Sequence, residues 1–216
     1  GLALATELVP DLVLTDVMMP EMDGLALCRS LKEQDATSHV PVVMLTARSE
    51  QEDKLSGLST GVDAYLTKPF DARELQLTVH NLIEQRRRLR QKFAERLAAE
   101  PASRPDFASA AEAAFLQKIA DIVEAHLDDV DFSIEDLGRS VGMSRSQLHR
   151  KVKAVTNQSP SAYVRSLRLQ HAYRLLEQRA GNISEVAFQV GIPNLAYFSR
   201  SFSRQFGFPP STLLQK

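Results

Sequence analysis

At 216 residues the chain can fold as one large domain or two small ones, and its 25% charged and 44% hydrophobic residues are ordinary for a soluble globular protein. The single cysteine, Cys28, excludes an internal disulfide and fits a cytoplasmic setting. No apolar run approaches the roughly 18 residues of a membrane span and no signal peptide is visible, so no membrane contact is expected. The first residue is Gly, and the text starts in mid-pattern, as expected of part of a longer chain.

The net charge of −1 conceals a polarity. Residues 1–140 hold 15 Lys/Arg against 25 Asp/Glu, whereas residues 141–216 hold 11 against 2, a net of +9. A basic C-terminal surface points to an anionic partner.

Residues 11–79 alternate between strand and helix. Leu12-Val13-Leu14-Thr15 reads as a short buried strand that ends on a carboxylate, Asp16, before a turn at Asp23-Gly24. Gly24–Glu33 reads as a helix with Leu25, Cys28 and Leu31 on one face. Pro41–Leu45 is a continuous apolar strand of the kind buried on both faces. Glu50–Leu58 reads as a helix and Ala64–Thr67 as a third strand. Asp71 caps a further helix that runs to about Glu100, with Leu82, Leu89, Phe93 and Leu97 near heptad spacing. That spacing fits either a connector that pairs protomers into a homodimer or a single solvated helix. Strand–helix alternation predicts a parallel sheet with crossover helices. Pro101 to Pro105 breaks the last helix and reads as the domain boundary.

Beyond Asp106 the pattern is helical throughout, with Phe115, Leu116, Ile119, Ile122, Val123 and Leu127 on one stripe. An internal repeat follows. Ile134, Leu137, Val141 and Gly142 recur as Ile183, Val186, Val190 and Gly191 at an offset of 49, and Leu148, Arg150, Val152 and Pro160 recur as Phe198, Arg200, Phe202 and Pro210 at 50. One residue is therefore inserted in the second turn. Each copy is a helix, a turn opened by Gly and a second helix, which is a helix-turn-helix. Between them, Pro160–Arg179 reads as a long helix with Tyr163, Leu167, Leu169, Tyr173 and Leu176 turned inward.

Open parallel sheets place their chemistry at the carboxyl ends of the strands. Here the three strands end on an acid, a hydroxyl and a cation: Asp16, Thr46 and Lys68. That set suits phosphoryl transfer to a carboxylate, with the hydroxyl and ammonium on the phosphoryl oxygens. A haloacid-dehalogenase-type phosphatase needs a second Asp two residues on, where this chain has Met18. No G-x-x-x-x-G-K-[ST] loop is present, which excludes a P-loop nucleotidase.

The segments PDLVLTDVMMPEMDG, VVMLTA and DAYLTKPF resemble consecutive signatures of the two-component response-regulator receiver domain, over about residues 1–84. The resemblance implies that Asp16 is the phosphoacceptor, Thr46 the switch hydroxyl, Lys68 the phosphate-binding cation and Tyr65 the switch aromatic. It also implies Mg²⁺ held by Asp16 and the Met18 carbonyl, and a cis Lys68-Pro69 bond. Receivers place an acidic pair at the end of their first strand, and these 216 residues begin just before the third. Mg²⁺ is therefore expected in the intact receiver but held poorly by this fragment.

The second repeat, ISEVAFQVGIPNLAYFSRSFSRQFGFPPS, resembles the AraC/XylS transcription-factor signature, which covers about residues 107–216. That resemblance implies seven helices and two helix-turn-helix units on double-stranded DNA. Recognition helices bury one face and present polar or basic side chains on the other. The candidates are Arg145, Ser146, His149, Arg150 and Lys151 in the first, and Asn194, Leu195, Ala196, Ser199 and Arg200 in the second. Tyr197 is assigned to packing or a backbone contact.

The expected architecture is α/β followed by all-α. It comprises a truncated flavodoxin-like receiver (1–84: the last three parallel strands with their helices), a helical connector (85–106) and a seven-helix DNA-binding domain (107–216). The expected function is a sequence-specific transcription regulator controlled by aspartyl phosphorylation, with a cognate histidine kinase in trans or on the same chain. The fragment itself is not expected to be an enzyme. The alternative is a phosphate-independent DNA-binding protein whose receiver-like part only dimerises.

Overall fold

The computed structural model of the chain describes residues 1–47, 61–99 and 110–215. It forms two compact units, the first holding Gly1–Arg90 and the second running from Ala113 onward. The expected helix Glu50–Leu58 and the break at Pro101–Pro105 lie outside the described residues, as do the side chains of Phe93 and Leu97.

In the first unit the elements run α1 (Leu2–Leu8), β1 (Val13–Asp16), α2 (Gly24–Glu33), β2 (Val42–Ala47), β3 (Ala64–Lys68) and α3 (Ala72–Ala99). The three strands pair in parallel in the order β1-β2-β3. Strand β2 is central, and Val42, Val43 and Met44 are fully buried, as its unbroken apolar run requires. Val42 and Met44, two residues apart, share one face and meet Leu27, Cys28 and Leu31 of α2. Helix α2 has the bounds that the sequence predicts, and the Asp23 carboxylate caps it by accepting from the Ala26 N–H at 2.6 Å. Asp71 accepts from the Arg73 N–H at the head of α3.

Two expectations change. β1 is not buried along its length: it is an edge of the described sheet, and Leu14 is 44% exposed while Thr15 on the opposite face is buried. Helix α1 was absent from the sequence reading. It is seven residues long and begins without a side-chain cap, and Leu2 and Ala5 hold it against the α2–β2 core.

The described residues of the second unit carry seven helices: α4 (Ala110–Ala125), α5 (Ile134–Val141), α6 (Arg145–Thr156), α7 (Pro160–Glu177), α8 (Ile183–Gln189), α9 (Leu195–Phe206) and α10 (Ser211–Leu214). The repeat is built twice with the same local chemistry. Ser133 and Asn182 close capping boxes with Asp136 and Glu185 at the starts of α5 and α8. Gly142 and Gly191 then turn the chain at φ 74° and 67°. Ser144 and Asn194 cap α6 and α9, so the change of offset falls at Pro193. Phe202 is the centre of the second core: its ring centroid lies 4.6 Å from Phe206 and within 6.3 Å of Phe198, Phe208 and Tyr173.

The first capping box has a measurable pH signature. The Ser133 hydroxyl and backbone N–H donate to the Asp136 carboxylate, and Arg139 lies beside it. Together they hold its pKa at about 2. A depressed carboxylate stabilises the fold fully above its unfolded pKa of about 3.9 and loses that contribution as pH falls through the folded value. In acid titrations of Tm, wild type should therefore fall towards Asp136→Asn below about pH 4. Parallel curves would show that the box contributes nothing.

Candidate phosphoacceptor site and nucleic-acid interface

Asp16, Thr46 and Lys68 come together because parallel pairing aligns the strand ends. Asp16 is opposite Leu45, Thr46 opposite Thr67, and Ala47 opposite Lys68. The Lys68 ammonium donates to the Asp16 carboxylate, and both side chains remain partly open to solvent. Lys68 holds the Asp16 carboxyl below its ordinary range, helped by the backbone N–H groups of Met18 and Val17. Asp16 is thus ionised and accessible, the two properties a nucleophilic carboxylate needs. Thr46 is buried, and its Oγ1 has no hydrogen-bond partner among the described residues. A buried hydroxyl without a partner is costly and calls for an explanation. The Lys68-Pro69 bond is cis. Tyr65 is half-buried and packs against the α2–β2 core.

Gly24 also belongs to this site. A Cβ there would collide with the Asp16 carbonyl and lie 2.8 Å from the Met44 sulfur. Glycine lets the head of α2 lie directly against the end of the strand that carries Asp16.

In the second unit α6 presents Arg145, Ser146, His149 and Arg150 to solvent, while Met143, Leu148 and Val152 face inward. Arg145 is ion-paired to Glu135 at 2.8 Å. On α9, Asn194, Leu195, Ala196 and Arg200 are exposed and Ser199 is half-buried, over a floor of Ile192, Phe198 and Phe202. Arg200 Nε donates to the Ala196 carbonyl, which lays its side chain back along the helix. Asn194 serves as N-cap, with its Oδ1 accepting from the Tyr197 N–H at 2.9 Å. The Tyr197 hydroxyl accepts from Arg165 Nη1 at 2.7 Å.

Lys151 is a correction. Expected to touch DNA, it is fully buried, with Nζ 5.1 Å from the centroid of the Phe115 ring. It falls on the inward stripe with Leu148, Val152 and Val155, three or four residues apart. Its replacement therefore tests packing and not a phosphate contact. Arg165 and Arg168 escaped the sequence reading. The signal for Arg168 was its place in Val164, Arg168, Ala172, Leu176, an every-fourth-residue row that is otherwise apolar.

The comparisons with known proteins divide as the fold does. Residues 1–80 match the response regulator receiver domain and residues 137–216 a helix-turn-helix domain. Residues 1–80 thus carry a response regulator receiver domain and residues 137–216 an AraC-type helix-turn-helix domain. It is 39% identical over 211 residues to Histidine kinase P4 of Formosa agariphila, a match that covers 98% of this chain and 15% of that one. The receiver domain of sensor histidine kinase PA1611 from Pseudomonas aeruginosa, solved with magnesium in its active-site cleft, is 32% identical with a TM-score of 0.36, covering 38% of this chain and 68% of that one. An AraC-type transcriptional regulator from Chromobacterium violaceum is 29% identical with a TM-score of 0.43, covering 46% of this chain and 88% of that one. The chain spans less than two fifths of the first curated relatives it matches.

Mg²⁺ accompanies receiver chemistry. The described residues offer it the Asp16 carboxylate, and among them no group of three acidic, His or Cys side chains could hold a metal. Mg²⁺ keeps several of its own waters and is usually held by one or two carboxylates, so the single carboxylate Asp16 is a sparse donor set for it among the described residues. The 216 residues alone should thus gain little phosphate from acetyl phosphate and Mg²⁺, read by intact mass. Prompt stoichiometric labelling, lost in Asp16→Asn, would overturn that expectation.

No helix among the described residues is long and apolar enough to cross a membrane.

Proposed function

We propose that the chain is the output end of a two-component transcription regulator, in which phosphorylation of Asp16 controls how the two helix-turn-helix units engage double-stranded DNA. The observation that carries this reading is the meeting of Asp16, Thr46 and Lys68 at one sheet edge, in a chain that also holds two open recognition faces. An Asp16 oxygen attacks the donor's phosphorus as the bond to the donor breaks. Lys68 then exchanges its carboxylate partner for phosphoryl oxygens, and the buried Thr46 hydroxyl donates to another of them. Tyr65, on the same strand as Lys68, relays the change.

The donor is a histidine kinase. The extended match to a protein named as one, covering a small part of that protein's length, favours a kinase carried on the same polypeptide. The heptad face of α3 suits pairing with a second copy.

The test uses the intact protein. Phosphodonor should produce a labelled form and change DNA occupancy, and Asp16→Asn should abolish both. Unchanged DNA occupancy on labelling, or labelling that persists in Asp16→Asn, refutes phosphorylation control.

A further inference from the structure

The two repeat glycines have the same backbone conformation but different surroundings. A Cβ on Gly142 would meet open space. A Cβ on Gly191 would collide with Arg168 Nη1 and approach the Leu127 carbonyl to 2.5 Å. The turn of the second helix-turn-helix is therefore seated directly on the loop that leads into the first. Arg168, from the intervening helix α7, fastens the two together. Its Nη1 donates to the Gly191 carbonyl at 2.8 Å, and its Nη2 donates to the carbonyls of Asp129 at 2.9 Å and His126 at 3.3 Å. The side chain is 7% exposed.

The loop it grips is closed by a ring contact. The His126 ring stacks on Phe132 at 4.4 Å, and Phe132 precedes Ser133, the cap of α5. Arg168 thus ties one turn to the entrance of the other unit through three backbone carbonyls, with a planar fork that a lysine cannot reproduce.

We propose that Arg168 is a positioning residue that sets the distance and angle between the two recognition helices, and so the half-site spacing the protein accepts. The proposal rests on the DNA-binding reading above. A shift of one base pair moves a half-site by roughly 3.4 Å and turns it by about 34°. A pinned pair of helices tolerates that poorly, and an unpinned pair tolerates it better.

The experiment is a set of duplexes with the selected half-sites held fixed and their separation changed one base pair at a time, bound by wild type and Arg168→Lys. The expected result is a sharp optimum for wild type. In the variant the half-site preferences should persist while the penalty for a one-base-pair shift falls by about fivefold or more. A uniform loss of affinity with an unchanged spacing profile overturns the proposal, because it marks a purely structural role. Absence of any preferred duplex for wild type removes the DNA-binding reading, and the proposal falls with it.

Should Arg168→Lys fail to fold, the wild-type background decides. Nitroxides at Ser146→Cys and Arg204→Cys, both exposed sites, report the distance between α6 and α9, while the native Cys28 is buried. One narrow distance without DNA is expected, and a broad distribution overturns the proposal.

Discussion

Phe202→Ala should lower the stability of the helical unit by about 3–5 kcal/mol, the usual cost of emptying an aromatic site in a packed core. Phe202 is fully buried and is the ring to which Phe198, Phe206, Phe208 and Tyr173 all pack. Removing it leaves those rings without a common partner, and their different elements cannot all close on the void. The two compact units make a global unfolding curve ambiguous. The measurement is therefore amide exchange along Leu169–Leu176 of α7, whose Leu169, Ala172 and Leu176 line the same core. Phe188→Ala is the control, because Phe188 is 62% exposed and should change stability by less than about 0.5 kcal/mol. Equal protection of α7 in wild type and Phe202→Ala would mean that the core re-forms around the gap.

Arg150→Ala and Arg200→Ala should each weaken specific DNA binding by about 1–3 kcal/mol, about fivefold to 150-fold, if each reads a base edge. The two arginines occupy equivalent repeat positions on α6 and α9, and both are exposed. Each variant should relax preference at its own half-site, and the relaxed positions should lie about one helical turn apart. The measurement is selection from random duplexes at fixed salt with wild type and both variants. If both lose affinity uniformly and the preferred motif persists, the arginines hold phosphate only.

The elements legible in the sequence were those whose signal is local. Helix α2 announces itself with a turn at Asp23-Gly24 and an apolar face, and β2 with an unbroken apolar run. The strand-end set Asp16, Thr46 and Lys68 could be read because parallel pairing brings corresponding ends to one edge. What escaped depended on neighbours distant in sequence. Helix α1 is held by packing and not by a cap. Leu14 looked buried because a four-residue run cannot say which strand is at the edge. Lys151 was read by its charge although its neighbours on the helix are apolar, and only the Phe115 ring from another helix explains its place. The apolar row around Arg168 marks it as buried, but its partners are carbonyls 23 to 42 residues away, which that row does not name.

The burial of Lys151 and Arg168 changes what the C-terminal charge can do. Of the 11 basic side chains in residues 141–216, these two are enclosed and cannot reach a phosphate. Arg145 is partly neutralised by Glu135 at 2.8 Å. Counterions leave DNA only where a cation approaches the backbone, each contact adding roughly 0.9 to the slope of log K against log salt. The ionic-strength dependence of binding should therefore be shallower than the formal charge implies, and non-specific attraction to bulk DNA correspondingly weaker. On the proposed function this favours the search for a site: less of the protein is held on the wrong sequence.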